Sequence, residues 1–314
     1  DAGFDEYCLW WLTERGDRFA NPNIFQNGKK IETNIDDYGP NIFSNFIVDF
    51  IQRNKNAPFF VYYPMTLVHD PFRPTPDSKD WKDLNKRNIG NNPKYFSEMV
   101  TYMDKVVGEI SEALIKNNLH KNTILIFLGD NGTDTKVTTL NNGNEIQGSK
   151  GRTIKYASNV PMIINWNTKI TNFKVSDALI DLTDFYATFE DILNVKNHES
   201  YGKSLIPLML DNNYRERDVL VTYYNPMWST RGLDRGIFAQ SKNYKLYKKG
   251  RFFKYSDDIF EMRPISINNF TEQENEVFNL LKKSLDTIPD LPKENYNQWK
   301  ERLRKIRNSN KYNL

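Results

Sequence analysis

Three short stretches carry residue types suited to holding an oxyanion and a metal ion. Asp130 and Asn131 are adjacent and followed by Gly132. A carboxylate beside an amide oxygen gives two hard oxygen donors on one turn, the kind that Ca²⁺ or Mg²⁺ prefers. Asp-Asn-Gly is also ordinary turn chemistry, and both readings stand at this point. Lys150 lies in Gly148-Ser149-Lys150-Gly151. Small neighbours there let backbone and side chain come close to a ligand. The ammonium could hold an anion as a point charge, or simply be a solvated surface group. His69 in Val68-His69-Asp70-Pro71 could act as a general acid or donate to an anion, or serve only a structural role. The single cysteine, Cys8, can form no internal disulfide and has no Cys neighbours for zinc; it reads as an ordinary thiol.

The elements that would position these residues can be read from hydrophobic periodicity. Ile42, Phe43, Phe46, Ile47, Phe50 and Ile51 predict a helix over 41–54, and Phe96, Met99, Val100, Met103, Val107, Ile110 and Leu114 predict one over 95–117. Apolar runs at 59–63, 123–128 and 160–166 predict buried strands. A further helix is expected over 176–193. The residues at 71–94 and 133–150 read as polar loops, the second long enough to be functional. Alternating strands and helices imply a largely parallel sheet flanked by helices on both faces. In such sheets ligands bind beyond the carboxyl ends of strands, where His69 and Asp130-Asn131 fall. After about 212 the pattern changes. Short strands at 219–224, 235–240, 244–248 and 251–255 predict an antiparallel unit, closed by helices at 271–285 and 294–308. The expected organisation is a large sheet region over 1–212 and a small antiparallel α+β region over 213–314.

The bulk numbers are permissive. The chain has 314 residues, 39% hydrophobic and 26% charged, with a net charge of +3. That composition belongs to a folded globular protein and gives no reason to expect nucleic acid as a partner. No run of 18 apolar residues is present to span a membrane. Asp1 rather than Met at the start is what a processed precursor or a fragment would give.

Five motifs, in order, make the sequence resemble the sulfatase family, within the alkaline-phosphatase-like superfamily. They are Gly3-Phe4-Asp5; Pro58 to Pro64 with Val68-His69-Asp70-Pro71; the helix segment Met99 to Gly108; Asn122 to Phe127 with Gly129-Asp130-Asn131-Gly132; and Gly148-Ser149-Lys150-Gly151 with Val160-Pro161. The resemblance implies an alkaline-phosphatase-like α/β fold and hydrolysis of a sulfuric ester. It implies that Asp130 and Asn131 are ligands of a divalent metal, usually Ca²⁺, and that Asp130 lies against the nucleophile. Lys150 would contact the sulfate, and His69 would protonate the leaving oxygen. A cation and a lysine at the equatorial oxygens lower the barrier to sulfate ester cleavage, and an acid relieves charge on the departing alkoxide. A sulfated carbohydrate or aryl sulfate is the expected partner, and a periplasmic or secreted location is expected.

The departures shape the rest of the expectation. The family's metal-binding acidic pair and its CxPSR or SxPSR segment, source of the formylglycine nucleophile, stand upstream of the Gly-Phe-Asp motif and have no match here. Cys8 is followed by Leu9-Trp10-Trp11, and Asp36-Asp37 reads as an acidic pair before a helix start. The metal's ligand set is therefore expected to be incomplete, and this chain alone to lack sulfatase turnover. Two alternatives remain: a phosphoric or phosphonic ester hydrolase of the same fold, and a non-catalytic domain that binds sulfated glycans. Arg152, Lys155, Tyr223, Tyr224, Trp228 and Arg231 could meet an anionic sugar, but solvation or packing explains them as well. His120 and His198 read as surface residues, and Arg302, Arg304, Lys305 and Arg307 as a solvated helix face.

Overall fold

The computed structural model describes residues 3–14, 16–195, 200–226, 234–293 and 296–310, with side chains to residue 305. The described residues fall into two compact units. One is drawn from Asp1–Phe127, Lys136–Gln147 and Ile163–Thr168, the other from Leu128–Thr135, Gly148–Met162 and Lys169–Leu314.

The first unit opens with an antiparallel sheet of β1 (Cys8–Trp10), β2 (Ile24–Gln26) and β3 (Lys29–Ile31). Helix α1 (Gly39–Arg53) follows, with Pro40 in its first turn, where the missing amide is no loss. Its buried face, Phe43, Ile47 and Ile51, packs on α3 (Phe96–Lys116), which buries Met99, Tyr102, Val106, Ile110, Ala113 and Leu114. Each large apolar side chain so covered contributes about 1.5–3 kcal/mol. The Tyr102 hydroxyl donates to Asn41 Oδ1 at 2.8 Å and ties the two helices together. The loop expected at 71–94 contains a short helix, α2 (Leu84–Asn88), because the Asp83 side chain accepts from the amides of Asn85 and Lys86 and caps it.

The strand expected at 59–63 is not formed. Phe59, Val61 and Tyr63 pack against the α1–α3 core while Phe60 and Tyr62 are exposed, a strand-like alternation without a strand. Strand β4 (Leu125–Leu128) is paired with β7 (Met162–Asn165), near the expected 123–128 and 160–166. The long loop at 133–150 contains an antiparallel hairpin, β5 (Thr138–Asn141) and β6 (Asn144–Gln147), turned by Asn142 and Gly143, both at positive φ.

The second unit carries an antiparallel sheet in the order β11-β10-β9-β8: β8 (Leu220–Tyr224), β9 (Gly236–Gln240), β10 (Lys245–Tyr247) and β11 (Phe252–Phe253). These four strands fall where the sequence predicts short antiparallel strands. Helix α7 (Glu272–Asp286), begun by a Thr271–Glu274 capping box, covers it with Leu281 and Leu285. The helix expected over 176–193 is shorter, α5 (Asp184–Leu193). Two further single turns, α4 (Lys155–Ser158) and α6 (Ile206–Met209), two 3-10 turns (Pro93–Tyr95 and Ile267–Asn269) and a final helix α8 (Tyr296–Asn310) complete the described elements.

Candidate functional site

Asp130 and Asn131 stand on the turn that leaves β4, and Lys150 on the loop that leaves β6. In the second unit backbone contacts bring this turn and this loop together. The Lys150 amide donates to the Thr133 carbonyl at 2.9 Å, and the Gly132 amide to the Ala157 carbonyl at 2.9 Å. The glycines of both motifs are required by proximity. A β-carbon on Gly132 would stand 2.0 Å from the Tyr156 carbonyl oxygen, and one on Gly148 2.0 Å from that of Asp134. Gly151 has φ +86°, a conformation that favours glycine. Asp130, Asn131 and Lys150 are thus carried on adjoining backbone.

Among the described residues, none of these three side chains has a hydrogen-bond or ion-pair partner. Asp130 is exposed, and Asn131 and Lys150 are half-buried. One carboxylate, one amide and one ammonium are therefore all available to a ligand. The two oxygen donors fit a hard cation such as Ca²⁺, which takes 6–8 oxygen ligands, as part of a ligand set. Among the described residues, no three His, Cys, Asp or Glu side chains gather as a metal cluster.

His69 belongs to the first unit. Its Nδ1 lies 2.7 Å from the Asp70 carbonyl oxygen and 3.0 Å from Asp70 Oδ1. Two acceptors at Nδ1 select the tautomer with its proton there and leave Nε2 for other chemistry. Asp70 Oδ2 accepts from Lys136 Nζ at 2.8 Å.

Comparison with known proteins decides the family. The sulfatase family model matches residues 1–195, more than half of the chain. The chain belongs to the sulfatase family. An endo-4-O-sulfatase of Bacteroides thetaiotaomicron is 24% identical over 90% of this chain and 62% of its own length. An N-acetylgalactosamine-6-O-sulfatase of the same organism is 26% identical over 57% of this chain and 36% of its own. The chain thus spans less than two thirds of these relatives. Among solved structures, a protein in complex with its substrate D-glucosamine-2-N,6-O-disulfate superposes with a TM-score of 0.71 at 17% identity, covering 93% of this chain and 78% of that one. Another, Ps i-CgsB, gives 0.68 at 22%, covering 94% and 69%. The fold of this sulfatase-family chain is the alkaline-phosphatase-like α/β fold, as the motifs imply.

The remaining candidates divide. Arg152 is turned to Asp234, with Nε 3.3 Å from Oδ2, and Lys155 lies over the Tyr255 ring at 5.7 Å. Tyr223 and Tyr224 are on β8, Tyr223 exposed. Trp228, Arg231 and His198 lie outside the described residues, as does the side chain of Arg307. Asp37 serves a turn: its Oδ2 accepts from the Asn34 amide at 2.7 Å. His120 is half-buried, its Nδ1 wholly enclosed. What the sequence did not reveal is a polar cluster behind the Lys150 loop, in which Thr153, Lys245, Tyr247 and Glu261 are buried and Asp234 is half-exposed. A lysine within Lys245-Leu246-Tyr247-Lys248-Lys249 gives no sign that it is the one buried.

Proposed function

We propose that this chain is the anion-holding part of a metal-assisted sulfuric ester hydrolase that acts on a sulfated carbohydrate. The observation that carries the reading is the availability of Asp130, Asn131 and Lys150 on locked, adjoining backbone. A bound Ca²⁺ would polarise the sulfate oxygens and offset charge that develops on them. Asp130 and Asn131 would supply two of its oxygen ligands. Lys150 holds a sulfate oxygen by charge, and its locked backbone means that little reorganisation is needed as charge builds up. The motif resemblance assigns His69 the proton for the departing alkoxide; with Nδ1–H held at Asp70, that proton would leave from Nε2 of the doubly protonated ring. The family's formylglycine nucleophile is not assigned to any residue of this chain.

The sulfated carbohydrate is supported by the N-acetylgalactosamine-6-O-sulfatase among the relatives and by the similar structure whose substrate is D-glucosamine-2-N,6-O-disulfate. A periplasmic or secreted location is part of the same proposal. Among the described residues, no helix is long and apolar enough to cross a membrane.

The test is binding of an aryl sulfate, 4-nitrocatechol sulfate, by the chain in Ca²⁺, with 4-nitrophenyl phosphate in parallel. The expected result is tighter binding of the sulfate, no turnover, a loss of at least about tenfold in affinity for Lys150→Ala, and loss of the Ca²⁺ dependence for Asp130→Ala. Sulfate affinity indifferent to both substitutions, or a preference for the phosphate ester, would sink the reading.

A further inference from the structure

We propose that Lys245, Glu261 and Tyr247 form a buried brace that holds the Lys150 loop in place through Thr153, so that all three are positioning residues for anion binding. The inference rests on Lys150 being the anion contact.

Thr153 follows Lys150 by three residues, and nearly every polar atom it has is held. Its amide and hydroxyl both donate to Asp234 Oδ2, at 3.0 and 3.2 Å. The Asp234 amide in turn donates to the Gly151 carbonyl at 2.9 Å. The Thr153 carbonyl accepts from the Lys245 ammonium. Lys245 also donates to Glu261 Oε1 at 2.8 Å, and the Tyr247 hydroxyl donates to Glu261 and lies 3.0 Å from the Thr153 hydroxyl. The two charged side chains are 2% and 3% exposed. The Lys245 ammonium also lies 3.9 Å above the Phe238 ring. Lys245 and Tyr247 belong to β10, which is paired on both sides in the antiparallel sheet, so the loop is tied to an interior strand of its unit.

Energetics say why this arrangement calls for explanation. Burying an ammonium and a carboxylate costs several kcal/mol per ion, and their attraction seldom returns more than that. Burial pushes the Lys245 ammonium toward its neutral form, against the pull of Glu261. Apolar residues of the same size would stabilise the sheet as well or better. What they could not supply is a directed cation at the Thr153 carbonyl. The pair is a poor device for stability and a good one for fixing one loop conformation.

Two variants test this on the full chain: the double replacement Lys245→Met with Glu261→Gln, which leaves no buried unpaired charge, and Thr153→Val, which keeps shape and removes the hydroxyl. Hydrogen exchange at the Lys150 amide and affinity for 4-nitrocatechol sulfate in Ca²⁺ are read together. The expected result is faster exchange at Lys150 with unchanged protection in β8–β11, and a loss of about 10–100-fold in affinity, as is usual for supporting residues. Unchanged exchange and affinity would overturn the proposal. So would a uniform loss of protection through Lys150 and the sheet, which would show a structural role only. Lys150→Ala separates the two readings. If it binds the probe as before, the anion-site reading fails, and exchange at Lys150 in the brace variants still decides whether the loop is held this way.

Discussion

The carbonyl oxygen of Asp134 stands 2.0 Å from the point where a β-carbon on Gly148 would lie. The Lys150 loop therefore rests directly on the chain that follows Asp130 and Asn131, and one methyl group is enough to lift it. Gly148→Ala is expected to cost about 1–3 kcal/mol, since the obstacle is backbone and cannot rotate away. Urea unfolding measures the cost. The same variant should bind 4-nitrocatechol sulfate more weakly, because Lys150 moves with the loop. An alanine variant with the parent's stability and affinity would mean that the approach is not close in solution.

Asp184 supports the second unit in a different way. It is fully buried, accepts from the amides of Asp181 and Lys203 at 2.7 Å each, and pairs with the buried Arg217 guanidinium. Asp184→Ala should destabilise by about 3–5 kcal/mol, most of it from leaving Arg217 charged and unpaired. Adding Arg217→Met should recover a large part of the loss, as the two sites share one interaction. Urea midpoints of the two single variants and the double variant decide it. Simple additivity would show that the pair is not coupled.

The same residue explains one limit of the sequence reading. Leu179, Ile180 and Leu182 fall at helical spacing, yet the helix starts only at Asp184. The Asp184 carboxylate takes the Asp181 amide, and Asp181 takes the amide and hydroxyl of Thr183. Short polar side chains that bond to nearby backbone compete with a helix, and periodicity does not register them. By contrast α3 was legible because six buried residues lie on one uninterrupted face. The glycines beside Asp130-Asn131 and Lys150 have a backbone reason: Gly132 and Gly148 sit where a β-carbon would meet a carbonyl oxygen at 2.0 Å. The β5–β6 hairpin is signalled by Asn142-Gly143, a pair suited to a tight turn, yet its polar strands have the pattern of a loop. The brace behind Lys150 had no signal at all, since only the fold distinguishes Lys245 from Lys248 and Lys249.

Asp80 gives the first unit an acid-dependent component of stability. The Tyr95 hydroxyl at 2.6 Å, then Lys86 at 2.9 Å and Lys94 at 3.1 Å, hold its carboxyl well below the usual carboxylate range. A carboxyl depressed by folding stabilises above its unfolded pKa, about 3.9, because the unfolded chain binds the proton more readily. That contribution is lost as pH falls from there toward the folded value. Asp80→Asn should therefore be less stable than the parent at pH 7, and the two should converge as the pH is lowered below about 4. Urea midpoints measured between pH 7 and pH 2.5 test this. Parallel curves would show that Asp80 is not linked to folding.

Burial should make the Cys8 thiol slow to react. Its thiol is on β1, opposite Gln26, and burial pushes it up to about 11. At pH 8 only about one molecule in a thousand then carries the thiolate, against roughly a quarter for a free thiol near 8.5. Higher intrinsic nucleophilicity of the less acidic thiol offsets part of that difference. Alkylation by iodoacetamide at pH 8 should still be at least about tenfold slower in the folded chain than in guanidinium. Its rate should go on rising through pH 10. A plateau near pH 9 would mean that solvent reaches Cys8 freely. With Leu9-Trp10-Trp11 after it, Cys8 lacks the CxPSR sequence of the family's formylglycine cysteine, and it stands on a strand.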